Sequence, residues 1–173
     1  TDKLYSKANK TDKIIVVPAL TGLGAPHWQP TVRGAIFGLT RNTSIPEIVK
    51  ATLDSLSFQT LDLIESMQKD AKIKIKEIRV DGGMINNNNF IQSLSNVTQA
   101  NIIKPENIET TSLGVAYLAG LQAGIIKNTQ QIEKLWKINK IFRPRISKSK
   151  IKEQIRKWRK TVTSLINLDS SKN

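Results

Sequence analysis

The stretch Arg79-Val80-Asp81-Gly82-Gly83-Met84-Ile85-Asn86-Asn87-Asn88-Asn89 limits the folds open to this chain more than any other. Residues 74–80 alternate, with Ile75, Ile78 and Val80 as the apolar members, which is the pattern of a strand entering a sheet. Gly82 and Gly83 break that pattern, and paired glycines mark a sharp turn or a close backbone approach. Beyond the polar tract, Phe90, Ile91, Leu94 and Val97 recur at helical spacing. The unit is therefore strand, glycine turn, helix. A helix start offers unpaired N–H groups and a positive dipole end, which suit a phosphate or a nucleotide edge. A plain tight turn uses the same residues, and the stretch alone does not choose between the two.

The flanking segments set the fold class. Residues 14–20 form a continuous apolar run with β-branched members, expected as a buried strand. The next ten residues hold Gly22, Gly24, Pro26 and Pro30, so they form an irregular loop, with Trp28 expected to be packed as its anchor and His27 as a polar loop residue. Residues 33–40 read as a second strand in which Gly34 and Gly38 signal close packing or bulges. Ser44, Pro46 and Glu47 give a capping-box start to a long helix over about 45–68. Residues 101–104 are a short strand ending at Pro105, and a helix capped by Thr111 or Ser112 follows it. That helix is small-sided, with Gly114, Ala116, Ala119, Gly120, Ala123 and Gly124, so close approach to a sheet or a ligand is expected. Thr129 is expected to cap a short helix through Trp136, residues 138–147 to be a connector, and about 148–167 to be an amphipathic helix with a strongly basic outer side. Strands alternate with helices, so the class is α/β. The expected division is a flexible lead-in over 1–12, a domain over 13–145, and a basic helix and tail over 146–173.

Composition removes several functions. The 173 residues contain no cysteine and one histidine, so neither a disulfide framework nor a Cys- or His-based metal site is expected. No apolar run is long enough for a transmembrane helix, and the polar first residues show no signal peptide. The net charge of +13 admits a nucleic-acid or anionic partner, or a bias toward Lys, Ile and Asn throughout the chain. No nucleic-acid-binding signature accompanies the charge, so compositional bias is the expectation. The chain opens on Thr1 rather than Met, as a fragment or a processed product would.

Five blocks, taken in order, resemble the C-terminal part of the FGGY carbohydrate kinase family. They are Val17-Pro18-Ala19-Leu20-Thr21-Gly22-Leu23-Gly24-Ala25-Pro26-His27-Trp28, Arg33-Gly34-Ala35-Ile36-Phe37-Gly38-Leu39-Thr40-Arg41, Ala51-Thr52-Leu53-Asp54-Ser55, Arg79-Val80-Asp81-Gly82-Gly83-Met84, and the run from Glu109 to Gly120. The first two blocks point to the glycerol-phosphorylating members rather than to another FGGY sugar kinase. The resemblance implies an incomplete actin-like, ribonuclease-H-like ATPase domain. It implies ATP with Mg2+, and glycerol phosphorylated at its 3-hydroxyl in the cytoplasm by a homo-oligomeric enzyme, with no specific nucleic acid and no membrane. Adenine contacts carry over to Gly83 and Asn87, with Gly82 and Met84 beside them. No catalytic or metal-binding residue carries over: the family's general base and phosphate loops fall before Thr1. The expectation is an ATP-side portion, inactive without an N-terminal kinase portion; a non-catalytic remnant of a split or decayed gene is the alternative. Two departures stand out, His27 where the family has Tyr and Asn96 where it has an acid.

Overall fold

A computed structural model describes residues 1–9 and 14–170. In chain order the elements are α1 (Asp2–Lys7), β1 (Ile15–Val17), β2 (Ala35–Phe37), α2 (Ile45–Ala71), β3 (Glu77–Arg79), a 3-10 turn (Gly83–Asn86), α3 (Asn88–Thr98), β4 (Asn101–Pro105), α4 (Thr110–Gln122), α5 (Thr129–Leu135), β5 (Ile138–Phe142) and α6 (Lys148–Ser170). β1 and β2 pair antiparallel, with Val16 opposite Ile36. A second sheet has the order β3-β4-β5, parallel between β3 and β4 and antiparallel between β4 and β5.

The long helix α2 begins as its capping residues dictate. Ser44 is the N-cap, and the Glu47 carboxylate accepts a hydrogen bond from the Ser44 N–H at 3.0 Å, with Pro46 in the first turn. α2 then reaches all three buried clusters. Leu53 enters the first with Ile85, Phe90, Ile91, Leu94, Ile102 and Phe142. Phe58 packs against the second, where Val17, Leu23 and Val32 meet Trp158 and Val162. Leu61 joins Val97 and Ile151 in the third. Each such buried side chain contributes about 1.5–3 kcal/mol of transfer free energy. Leu63 and Met67 are 43% and 51% exposed, because this part of α2 turns Leu61 and Ile64 inward.

Several expectations are corrected. The lead-in, expected to be loose, contains α1; Tyr5 Oη donates to Asp54 at 2.6 Å, and Asn89 Nδ2 donates to Asp2 and Ser6. The rest of that lead-in, residues 10–12, lies outside the described residues. Trp28 is no anchor: it is 74% exposed. The loop is held instead by reciprocal backbone bonds between Leu23 and Gln29 at 2.8 Å, with Leu23 turned into the core. Gly22 is required there, because a Cβ would meet Gln29 O and Pro30 Cα at 2.7 Å. α4 starts two or three residues early, with Glu109 as N-cap in place of Thr111 or Ser112, and buries none of its residues. α5 is capped by Asn128, whose Oδ1 accepts from Gln131 N at 3.1 Å, not by Thr129. The expected connector over 138–147 begins with strand β5. Most of β5 is exposed, so it lacks the apolar alternation that would have announced it.

Helix α6 runs three residues beyond its expected end and is integrated into the fold. Ile151, Trp158 and Val162 are at most 2% exposed. Trp158 stacks on Phe58 at 5.6 Å, and its Nε1 donates to the buried Asp62 at 2.6 Å. Its lysines and arginines line the other side, as amphipathic spacing requires.

Candidate functional site

The glycine turn is built by three constraints. Val80 N–H donates to Ile103 O at 3.2 Å, keeping the chain in the sheet past the end of β3. Gly82 then adopts φ +81, a conformation costly for any residue with a Cβ, and its N–H donates to Ile108 O at 3.2 Å. Ile85 N–H closes the turn onto Gly82 O at 3.2 Å, and the Ile85 side chain, 2% exposed, pins it to the first core cluster.

All four expected site residues lie on this turn. A Cβ built at Gly82 or Gly83 would meet nothing within 4 Å, so the backbone there presents a bare, open surface. Met84, 46% exposed, adds an apolar edge. Asn87 ends the turn and is 6% exposed. Its Oδ1 accepts from Phe90 N at 2.9 Å, making it the N-cap of α3, and its Nδ2 donates to Thr1 Oγ1 at 3.2 Å. An amide nitrogen carries two protons, so one remains for another acceptor. This surface has the chemistry to take the flat face of an aromatic ring and to donate one hydrogen bond to its edge.

A supporting residue that the sequence reading missed is Lys104. From β4 it donates through Nζ to Ile85 O at 2.8 Å, within the turn. A lysine within the apolar run that ends at Pro105 marks the position in the sequence, but nothing there gives its partner.

Asp54, Asp62 and Asp81 are all engaged by protein partners. Asp54 accepts from Tyr5 Oη and Ser93 Oγ, each at 2.6 Å, and pairs with Lys50. Burial, followed by the nearby Asp54 charge, pushes the Tyr5 phenol far above the ordinary tyrosine range. Asp62 is held by Trp158 Nε1 and faces Arg159 Nε at 3.6 Å. Asp81 meets the Thr110 hydroxyl at the start of α4. Among the described residues, no group of three His, Asp or Glu side chains is placed to hold a metal ion.

Of the two departures from the family pattern, Asn96 is accommodated by hydrogen bonds and His27 is not. Asn96 is buried, and its Oδ1 accepts from Arg145 N at 2.7 Å and Gln92 Nε2 at 3.2 Å. A carboxylate would accept the same bonds, and the amide does so without bringing a charge into the core. His27 Nε2 is buried without a hydrogen bond and lies 3.9 Å from Asp62. A cavity of about 730 Å³ lies among β1, α2 and α6, bordered by Lys50, Asp54, Lys157 and Trp158, and none of the turn residues lines it.

The C-terminal domain of the FGGY family of carbohydrate kinases matches residues 1–123, and this chain belongs to that family. Its α/β structure is that of FGGY sugar kinases, which have an actin-like ATPase fold. Among its relatives, the glycerol kinase of Bdellovibrio bacteriovorus is 42% identical over 157 residues, which is 91% of this chain and 32% of the relative. The glycerol kinase of Bacillus subtilis is 42% identical over 162 residues, 94% of this chain and 33% of the relative. A solved structure, Plasmodium falciparum glycerol kinase with ADP, superposes with a TM-score of 0.85 at 32% identity, covering 95% of this chain and 33% of that one. The chain thus spans about a third of the length of the relatives it matches, and it corresponds to the C-terminal FGGY domain of glycerol kinases. No helix of the described residues is long and apolar enough to cross a membrane.

Proposed function

We propose that this chain is the ATP-side portion of a glycerol kinase, which moves the γ-phosphate of ATP to the 3-hydroxyl of glycerol and yields glycerol 3-phosphate. The observation that carries the proposal is the open Gly82–Gly83 surface in a chain 42% identical to two glycerol kinases. The ADP complex of the Plasmodium falciparum enzyme adds support. The adenine ring lies against the backbone of Gly82 and Gly83, where no side chain intervenes, and Met84 shields its edge. Asn87 offers the second proton of Nδ2 to the base while its oxygen holds the first turn of α3. Magnesium, carried on the ATP phosphates, supplies charge neutralisation. The cytoplasm as location and a homo-oligomeric intact enzyme belong to the same reading.

Phosphoryl transfer depends on converging groups that position the nucleophile and neutralise charge. With Asp54, Asp62 and Asp81 each held by a protein partner, this chain offers none of them as a base to a substrate hydroxyl. The reading therefore assigns the base and the phosphate loops to further polypeptide, on the same chain or on another. The test is ATP-dependent glycerol phosphorylation by the 173-residue chain, alone and with the part of the Bacillus subtilis enzyme that precedes the matching third. Activity only in the mixture is expected. Turnover by the chain alone would overturn the assignment of the base. A folded but inactive mixture would favour a non-catalytic remnant.

A further inference from the structure

The positive charge is concentrated in one stretch of the chain. Residues 134–160 hold twelve lysines and arginines and one acid, Glu153, so +11 of the net +13 falls within 27 residues. The other 146 residues together carry only +2. A bias toward lysine acting throughout the chain would not gather the excess in one window.

The fold turns this window into a fixed surface. β5 is paired along its length with β4. Gln92 Nε2 donates to Arg143 O at 2.9 Å, Arg145 N–H donates to Asn96 Oδ1 at 2.7 Å, and Gln99 Nε2 donates to Ile146 O at 3.0 Å. α3 thereby holds the backbone between β5 and α6. On the exposed side of α6, Lys148, Lys152, Arg156 and Lys160 follow at four-residue intervals, about 6 Å apart along the axis. Arg143 and Arg145, also exposed, lead into this stripe. None of these six cations lies within ion-pair distance of a carboxylate among the described residues. Lys157 and Arg159 differ, since they pair with Glu153 and with Asp62 and Glu65. Like charges four apart on a helix repel, and an anionic partner relieves that repulsion.

The chemistry of the surface selects the partner. The apolar side of α6 is used inside the fold, where Ile151, Trp158 and Val162 are at most 2% exposed, so the helix has no apolar face to sink into lipid. The aromatic rings of the window are engaged as well. Phe142 and Trp158 are buried, and Arg79 lies over the Trp136 ring at 4.3 Å, so no free ring is offered to an unpaired base. Charge alone remains, and duplex DNA presents one phosphate charge per about 1.7 Å of its axis. Its major groove admits a helix, whereas that of an RNA duplex is too deep and narrow for side chains to read.

We infer that the exposed stripe of α6, with Arg143 and Arg145 leading into it, is a sequence-independent binding surface for the phosphate backbone of duplex DNA. It stands on the distribution of charge, independently of the kinase reading.

The 173-residue chain is titrated against a labelled DNA duplex of mixed sequence, and fluorescence anisotropy is read over a range of salt concentrations. Binding is expected to weaken with a log–log slope of about −4 to −5, at about 0.9 for each phosphate neutralised by the stripe and the two arginines. Lys152→Gln combined with Arg156→Gln is expected to weaken binding about tenfold at low salt and to make the slope shallower by about 2. Arg143→Gln combined with Arg145→Gln is a second pair with the same expectation. Lys69→Gln combined with Lys74→Gln removes the same charge from exposed positions outside the window and is expected to leave the affinity nearly unchanged. The inference is overturned by an absence of binding at low salt, or by a control pair that weakens binding as much as the other two. Tighter binding to duplex RNA or to phosphatidylserine vesicles than to DNA overturns it as well, by giving the surface to that partner.

Discussion

Lys104 Nζ, on β4, reaches across to the backbone carbonyl of Ile85 at 2.8 Å and so fixes the turn that follows β3. A charged donor on a neutral carbonyl is worth about 1.5–3 kcal/mol. Its removal leaves the turn attached by the Ile85 side chain and by the backbone bonds of Val80 and Gly82. Lys104→Met is expected to weaken ADP binding by about tenfold, equivalent to ~1.4 kcal/mol. Lys104→Arg restores most of it. Calorimetric titration with ADP reads both; an unchanged affinity in Lys104→Met would show that the turn needs no such support.

The two glycines separate stability from binding. Gly82→Ala forces a Cβ into φ +81 and is expected to cost about 1–2 kcal/mol of folding free energy. Gly83 is not in that region and has open space at its Cβ, so Gly83→Ala is expected to change stability by less than about 0.5 kcal/mol. If adenine lies on this surface, Gly83→Ala nevertheless lowers ADP affinity by about tenfold or more. Urea unfolding and ADP titration of both variants decide the matter, and full ADP affinity in Gly83→Ala would remove Gly83 from the site.

The Trp158–Asp62 pair joins α6 to α2 in the interior, at 2.6 Å. Trp158→Phe keeps an aromatic ring beside Phe58 but takes the Nε1 donor from a buried carboxylate, an expected loss of about 1–3 kcal/mol. Arg159→Ala removes a half-exposed partner of Asp62 and Glu65, and is expected to cost under about 1 kcal/mol. Urea midpoints in the opposite order would reverse this ranking.

Glu47 gives the fold an acid-sensitive joint. Hydrogen bonds from Ser44, and then from the Asn9 N–H at 2.8 Å, lower its carboxyl pKa to about 2. An unfolded glutamate titrates near 4.3. The stabilisation is therefore complete above the unfolded value and is lost as pH falls toward about 2. Melting temperatures of the unsubstituted chain and of Glu47→Gln are expected to converge across that window and to differ at neutral pH. Parallel curves from neutral pH down to pH 2 would refute the role of Glu47.

The fold was readable where side chains report on their surroundings at regular spacing. Phe90, Ile91, Leu94 and Val97 announced α3, and all four are buried. Ser44 and Glu47 announced the start of α2. The reading failed where tertiary context decides. Trp28 is apolar and sits in a Gly- and Pro-rich loop, but the smaller Leu23 fills the core position below it. β5 takes its partner from β4, not from its own pattern. The turn at Gly82 and Gly83 was legible because the glycine pair interrupts a strand, whereas Met84 and Asn87 were singled out only through the family resemblance. The Lys104 contact was not, because it joins residues nineteen apart in sequence.

Helix α2 holds 27 residues and is therefore about 40 Å long. Because Leu53 and Leu61 belong to different clusters and Phe58 packs against the second and the third, α2 joins all three and the interior has a single keel. Partial unfolding that spares one cluster while melting another requires breaking that keel in the middle. The chain is thus built to lose its interior cooperatively, with the slowest-exchanging amides running the length of α2 and the fastest on α4, which shares none of the three clusters.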